Sequence, residues 1–362
     1  MDICAVTKDE LQARFRELDQ PGYRVAQVLD WIYNQRVTTW SAMTNLPVAL
    51  RLELERAYDF HSLELAKKQG SSDTTQKFLW RLKDGALVES VLIPANPALY
   101  GEASDRHTLC VSTQVGCAYG CRFCASGLDG WKRNLLPEEI VGQVLAVERL
   151  GAAMREAGQP RLVSNLVIMG MGEPLANYDN LLRALRILNA PWGGGIGARK
   201  ITVSTSGLAP QIRRLADEPE QFRLAISLHG ATDAVRDRIM PVNRKHPLAS
   251  LEAAIGHYLS KKGKMITFEY ILIAGVNDGL PEARPLAEMA RRLKAKLNLI
   301  PYNRVEGLAW ERPSEASQEA FLAALERLGV TATLRREKGH DIDAACGQLR
   351  LRTQRELAGS SE

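Results

Sequence analysis

The chain has 362 residues, 45% of them hydrophobic and 25% charged, with a net charge of +5. That is ordinary for a globular protein, and the length predicts one large domain plus a smaller one. The sequence has no apolar run of eighteen or more residues and no basic-then-apolar leader, and its six cysteines make a poor disulfide framework. These features predict a cytoplasmic protein that neither crosses a membrane nor is secreted.

In chain order, Thr7-Lys8-Asp9-Glu10 reads as a capping box that opens a helix carrying Leu11, Phe15 and Leu18. Pro21-Gly22 ends it. A second helix runs through Val25, Val28, Leu29, Ile32 and Tyr33, and Pro47 opens a third with Leu50, Leu52, Leu54 and Tyr58. Residues 1–66 therefore read as a small helical domain. Phe78, Trp80 and Leu82 alternate up to the turn Lys83-Asp84-Gly85, and Leu87–Ile93 return, which predicts a β-hairpin within a linker spanning 67–102. Period two places Glu89 on one face with Leu87 and Val91. Either this is an edge strand with Glu89 in solvent, or a carboxylate stands inside an apolar row. Residues 94–107 read as a loop.

From residue 108 strands and helices alternate. Strands are expected at 108–114, 162–170, 200–207, 222–230, 265–273 and 296–302, with 331–336 as a possible seventh. Helices are expected at 138–156, 180–189, 210–217, 248–262, 281–294 and 317–328. Six or so βα units mean parallel strands, as an open doubly wound sheet or a full or partial barrel. In a barrel the chemistry sits on loops at the strands' C-terminal ends. This core is taken as 103–340, followed by a C-terminal segment, 341–362.

Charge is uneven. Residues 1–66 hold seven Lys/Arg against ten Asp/Glu, whereas residues 111–330 hold 28 against 22. An anionic partner should meet the larger domain first. Basic clusters occur at Trp131-Lys132-Arg133, Arg244-Lys245-His246 and Arg335-Arg336-Glu337-Lys338, on expected loops.

GCAYGCRFC places Cys117, Cys121 and Cys124 directly after the first strand of the repeat. Structural zinc takes four N or S ligands, and no second cysteine pair exists to complete such a set. A [4Fe–4S] cube takes one thiolate per iron, so three would leave one iron open. Met169-Gly170-Met171-Gly172-Glu173-Pro174 ends the second strand, where glycines admit close approach and Glu173 can accept hydrogen bonds from an ammonium. Ser204, then Ser227-Leu228-His229, then Asn303 follow at later strand ends. Of the remaining cysteines, Cys4 reads as a buried apolar residue, Cys110 lies in the first strand of the repeat, and Cys346 stands alone in DIDAACGQL.

C-x3-C-x-aromatic-C after the first strand of a βα repeat resembles the radical S-adenosylmethionine (SAM) enzymes. The segments TLCVSTQVGCAYGCRFC, MGMGEPLANYDN, ITVSTSG, SLHG, NLIPYN and DIDAACGQL, in this order, resemble the RlmN/Cfr adenine methyltransferases over nearly the whole chain. The resemblance implies a partial (βα)6 barrel with a small N-terminal helical domain. It also implies a [4Fe–4S] cluster on Cys117, Cys121 and Cys124, and SAM contacts from Gly172, Glu173, Ser204, Ser227, Leu228, His229 and Asn303.

The implied substrates are 23S ribosomal RNA (adenine 2503) and transfer RNA (adenine 37). Adenine C2 is electron-poor and does not attack a methyl sulfonium. In this family a cysteine matching Cys346 first carries the methyl group, a second SAM yields the radical that activates it, and a cysteine matching Cys110 resolves the product through a transient disulfide. Glu89, in VESVLIP, matches the proposed proton acceptor, and an apolar setting could raise a carboxylate pKa toward the range a base needs. The loop 94–107 is longer than the family pattern. A donor such as flavodoxin would supply electrons, and a monomer is expected. The competing readings are C8 methylation of the Cfr kind and a zinc-stabilised RNA-binding protein without activity.

Overall fold

A computed structural model describes residues 1–61, 63–72, 74–95, 106–128, 130–154, 159–263, 266–305, 307–335 and 342. Among these residues no helix is long and apolar enough to cross a membrane.

Three helices come first: α1 (Lys8–Glu17), α2 (Tyr23–Tyr33) and α3 (Val48–Ala57). The capping box forms, with Thr7 Oγ1 accepting from Glu10 N at 3.3 Å and Glu10 Oε2 accepting from Thr7 N at 2.8 Å. These helices share one continuous core with the rest of the chain. Arg36, between α2 and α3, forms a buried ion pair with Glu148 at 3.2 Å and donates to Pro160 O at 2.8 Å.

Ten strands make one sheet in unbroken chain order, with β5 (Gln114–Gly116) and β6 (Trp131–Asn134) set apart as a two-stranded ribbon: β1 (Glu64–Gly70), β2 (Gln76–Arg81), β3 (Leu87–Pro94), β4 (His107–Cys110), β7 (Asn165–Ile168), β8 (Ile201–Thr205), β9 (Arg223–Ser227), β10 (Thr267–Leu272), β11 (Lys296–Pro301) and β12 (Ala332–Leu334). From β4 to β12 the pairing is parallel. The order never reverses, as it would in a doubly wound sheet. Both outermost strands, β1 and β12, have one neighbour each. The fold is therefore a barrel left open.

Helices α4 (Pro137–Leu150), α5 (Tyr178–Asn189), α6 (Ala209–Asp217), α7 (Asp233–Ile239), α8 (Leu248–Lys262), α9 (Leu280–Arg292) and α10 (Glu315–Arg327) connect the strands. The expected helix 138–156 stops at Leu150, followed by a 3-10 turn at Ala152–Met154. Two features depart from the sequence reading. The hairpin is part of the main sheet, because β3 pairs antiparallel with β4, and an unforeseen β1 pairs with β2. Strand β3 is thus interior, and its first six residues are all buried. The edge-strand reading of Glu89 falls, since only 2% of it is exposed.

Candidate active site

The cysteine loop lies across the C-terminal ends of the parallel strands. Its start is a two-stranded ribbon, β5 (Gln114–Gly116) with β6 (Trp131–Asn134). Cys117, Cys121 and Cys124, all half-buried, line one cavity of about 150 Å³ with Met169, Gly170, Gly172, Glu173, Ser204, Ser227 and His229. Most residues named for the cofactors therefore converge. Leu228 does not line the cavity: its side chain is in the core and its N–H donates to Glu269 O at 3.0 Å. Asn303 is buried beyond β11 and is also outside the lining.

Gly172 has φ of +100°, and a Cβ there would stand 2.5 Å from Gln114 Cβ, so only glycine lets this turn pack on β5. Glu173 Oε1 accepts from Leu175 N at 3.0 Å and Oε2 accepts from Ser206 N at 2.7 Å. It thus caps a 3-10 turn, as a purely structural glutamate would, while also lining the cavity. A carboxylate has four acceptor positions, so capacity for an ammonium remains. Burial raises its pKa, and the Ser206 N–H works against that. His229, at φ of 56°, accepts from Ile271 N at 3.0 Å through Nδ1 and meets Phe123 edge-on at 4.8 Å. Burial pushes its pKa down to about 3, so the ring is neutral.

Burial raises the pKa of all three cysteines, that of Cys117 to about 12. A metal would have to displace their protons. The donor set fits a [4Fe–4S] cube, with three thiols on one cavity wall and no fourth protein thiol among the described lining residues. Among the described residues no three His, Cys, Asp or Glu side chains converge closely enough for one metal ion, whereas a cube takes one thiolate per iron.

Two charged residues of the site escape the sequence reading. Glu269, facing the cavity from β10, is buried in register with Ser227 and Asn298. It accepts from Asn298 Nδ2 at 2.9 Å and lies 3.8 Å from Arg335 Nη1, and burial raises its pKa. A glutamate at an inward position of TFEYIL was the available signal. Arg236 on α7 is fully buried. Its Nη2 donates to Ser206 O at 2.8 Å, while Nε and Nη1 have no acceptor among the described residues. Burial lowers its pKa to about 10, and attraction to Cys121 opposes the shift. It is a buried cation near one prospective thiolate, that of Cys121, and no sequence pattern announced it.

Next to the cavity lies a smaller cluster of Cys110, Leu79, Leu87, Val91 and Met171, against which Met169 and Ile342 pack. Val91 pairs with Cys110 across β3–β4, and Glu89 lies two residues away on the same face. The side chains of Glu89 and Cys110 are thus diagonal neighbours, roughly 7–8 Å apart. Lys77 Nζ is 3.4 Å from Glu89 Oε1, a partner the sequence did not reveal. A polar network fixes this strand pair. Ser112 Oγ donates to Glu89 O at 2.6 Å and accepts from Met171 N at 2.9 Å, and Gln143 bridges Ser90 and Ser112. Cys346 lies outside the described residues.

The basic clusters change character. Trp131-Lys132-Arg133 forms β6 instead of a loop, and Arg133 is taken up by Glu139 at 2.8 Å and Asp84 at 2.7 Å. Arg335 faces Glu269, and residues 336–338 lie outside the described residues.

Residues 111–284 match the Radical SAM superfamily, and residues 1–59 match a ribosomal RNA large subunit methyltransferase N-terminal domain. A probable dual-specificity RNA methyltransferase, RlmN 3 of Opitutus terrae, is 56% identical over 98% of this chain and 95% of its own length. The chain belongs to the RlmN family of radical SAM RNA methyltransferases. The Akkermansia muciniphila RlmN is 52% identical over 99% of this chain and 98% of its own. A crystal structure of a radical SAM methyltransferase from Sphaerobacter thermophilus superposes with a TM-score of 0.89 at 42% identity, covering 97% of this chain and 99% of that one. RlmN membership sets aside the reading as an inactive zinc-stabilised protein, and the superfamily implies a [4Fe–4S] cluster and SAM.

Proposed function

We propose that this RlmN-family chain methylates C2 of adenine in 23S ribosomal RNA (nucleotide 2503) and transfer RNA (nucleotide 37). The observation that carries the reading is the juxtaposition of Glu89 and Cys110 on one face of β3–β4, beside Met169 and Met171 of the turn that lines the cavity. Ile342 packs on the same patch, and Cys346 follows four residues later in the chain. That supports a meeting of Cys346 with Cys110.

Cys117, Cys121 and Cys124 would hold the cluster, and Gly172, Glu173, Ser204, Ser227, Leu228, His229 and Asn303 would hold SAM. The cluster, when bound, supplies the single electron that splits SAM. As a thiolate, Cys346 takes a methyl group from one SAM sulfonium. After a hydrogen atom is removed from that S-methyl group, its carbon bonds to adenine C2. Glu89 accepts the proton that leaves C2, and Lys77 Nζ, 3.4 Å from Glu89 Oε1, orients its carboxyl group. Cys110, as a thiolate, then attacks the Cys346 sulfur, and the S–CH2 bond breaks. The departing carbon takes up a proton to become the methyl group, the adduct's unpaired electron leaves to an acceptor that a bound cluster would supply, and a Cys110–Cys346 disulfide remains. The target adenine must leave its stack to enter, so the RNA is read as a flipped base. Residues 1–66, net acidic, would contact RNA by shape more than by charge.

Nucleoside mass spectrometry of ribosomal and transfer RNA from a deletion strain is expected to show loss of 2-methyladenosine. Loss of 8-methyladenosine instead would establish the Cfr-like reaction. Cys110→Ala, supplied with RNA and SAM, should accumulate a covalent RNA–protein adduct through Cys346. No adduct would refute the methyl-carrier step.

A further inference from the structure

Radical chemistry at this site needs one electron from outside for each cleavage, so something must reach the cysteine loop from its solvent side. A groove of about 450 Å³ runs along that side. Its floor is Cys121, Gly127, Leu128, Leu308 and Trp310, with Arg122 at the rim. Cys121 and Gly127 line both this groove and the SAM cavity, so the cysteine loop is the wall between them.

The groove is built. Trp310 Nε1 donates to Arg122 O at 2.8 Å, and Arg122 N donates to Ile239 O at 2.9 Å, tying α7 to the loop. The Arg238 guanidinium lies 5.5 Å from the Trp310 ring centre. Leu128 is 40% exposed. Arg122 and Arg238 are both exposed, and neither is paired with a carboxylate among the described residues. The acids of α7 are engaged elsewhere: Asp233 and Asp237 both accept from Asn243 Nδ2, at 2.8 and 2.9 Å. The result is a half-exposed tryptophan and two leucines flanked by two arginines that have no carboxylate partner among the described residues. Aromatic and Arg anchors of this kind are typical of a protein interface. A patch this small suits a transient redox encounter, which buries less surface than a stable complex.

The geometry points to this groove as the docking site for a small acidic one-electron carrier protein, which delivers its electron through the Cys121 wall. The assignment rests on the proposed three-cysteine cluster. The carrier loses one electron and the cluster gains it, and no bond forms or breaks. RNA is the weaker occupant, because the base must reach the Cys110 face on β4, whereas the cysteine loop stands between this groove and the SAM cavity.

The test uses the full-length, cluster-loaded protein under anaerobic conditions. Cluster reduction is followed by electron paramagnetic resonance with two reductants, a reduced flavodoxin and dithionite. The double variant R122E/R238E should reduce at least about 10-fold more slowly with flavodoxin and lose the salt dependence of the wild type. Its iron content and dithionite rate should not change. Arg122→Lys/Arg238→Lys, which keeps both charges, should retain most of the flavodoxin rate, and Leu128→Asp should lose it. Unchanged flavodoxin rates in R122E/R238E would overturn the proposal, as would lost RNA affinity with normal reduction. Absence of iron and of the cluster's visible absorbance in the anaerobically purified wild type would refute the cluster reading itself.

Discussion

Replacing His229 by asparagine is expected to remove a pH dependence from the folding of this chain. The folded imidazole is buried, and its Nδ1 accepts from Ile271 N at 3.0 Å, a bond that a protonated nitrogen cannot accept. An unfolded histidine titrates near pH 6.5, whereas burial, with Arg236 adding to it, holds the folded one at about 3. Between those values the unfolded chain binds a proton that the folded chain refuses, so stability rises with pH. The contribution is complete above the unfolded pKa and is lost as pH falls below it. From pH 7 to pH 5 the loss comes to about 2 kcal/mol. Asparagine tolerates the left-handed backbone at this position, and its amide oxygen can accept the same N–H. The assay is urea unfolding of the cluster-free protein at both pH values. The wild type should lose about 2 kcal/mol more than His229→Asn on acidification. Glu173 and Glu269, whose raised pKa values act in the opposite direction, are common to both proteins and cancel. An equal loss in the two proteins would show that His229 is not held neutral by the fold.

Other outcomes follow from the same structure. Gly172→Ala should destabilise the protein by about 1–3 kcal/mol, by thermal unfolding, because its Cβ would meet Gln114 at 2.5 Å on a backbone of positive φ. Arg36→Ala should cost about 3–5 kcal/mol by denaturant unfolding, since it removes the cation paired with buried Glu148 and leaves that carboxylate, among the described residues, only the backbone N–H groups of Leu162 and Val163. Glu89→Gln should keep cluster content and SAM cleavage while product formation falls at least ~100-fold, as for loss of a general base. Equal activity would remove Glu89 from the reaction. Cys117→Ala should lose the iron of the purified protein, measured by metal analysis, with little change in far-UV circular dichroism.

Much of this protein was legible along the chain. Spacing alone placed the capping box at Thr7, the run of alternating strands and helices, and three thiols on one loop, because these depend on residues a few positions apart. Family motifs named Cys110 and Glu89, whose partners are distant. What the sequence left open was decided by pairing between remote segments. Whether the strands wound in two directions or one, whether β3 lay at an edge, and whether Glu89 met solvent all turned on β3 pairing with β4 and on a strand order that never reverses. Lys77 beside Glu89, Arg236 beside Cys121 and Glu269 against Arg335 were hidden for the same reason. Each places a buried charge next to a group brought up by another element, and burial is a property of the packed core that no local pattern records.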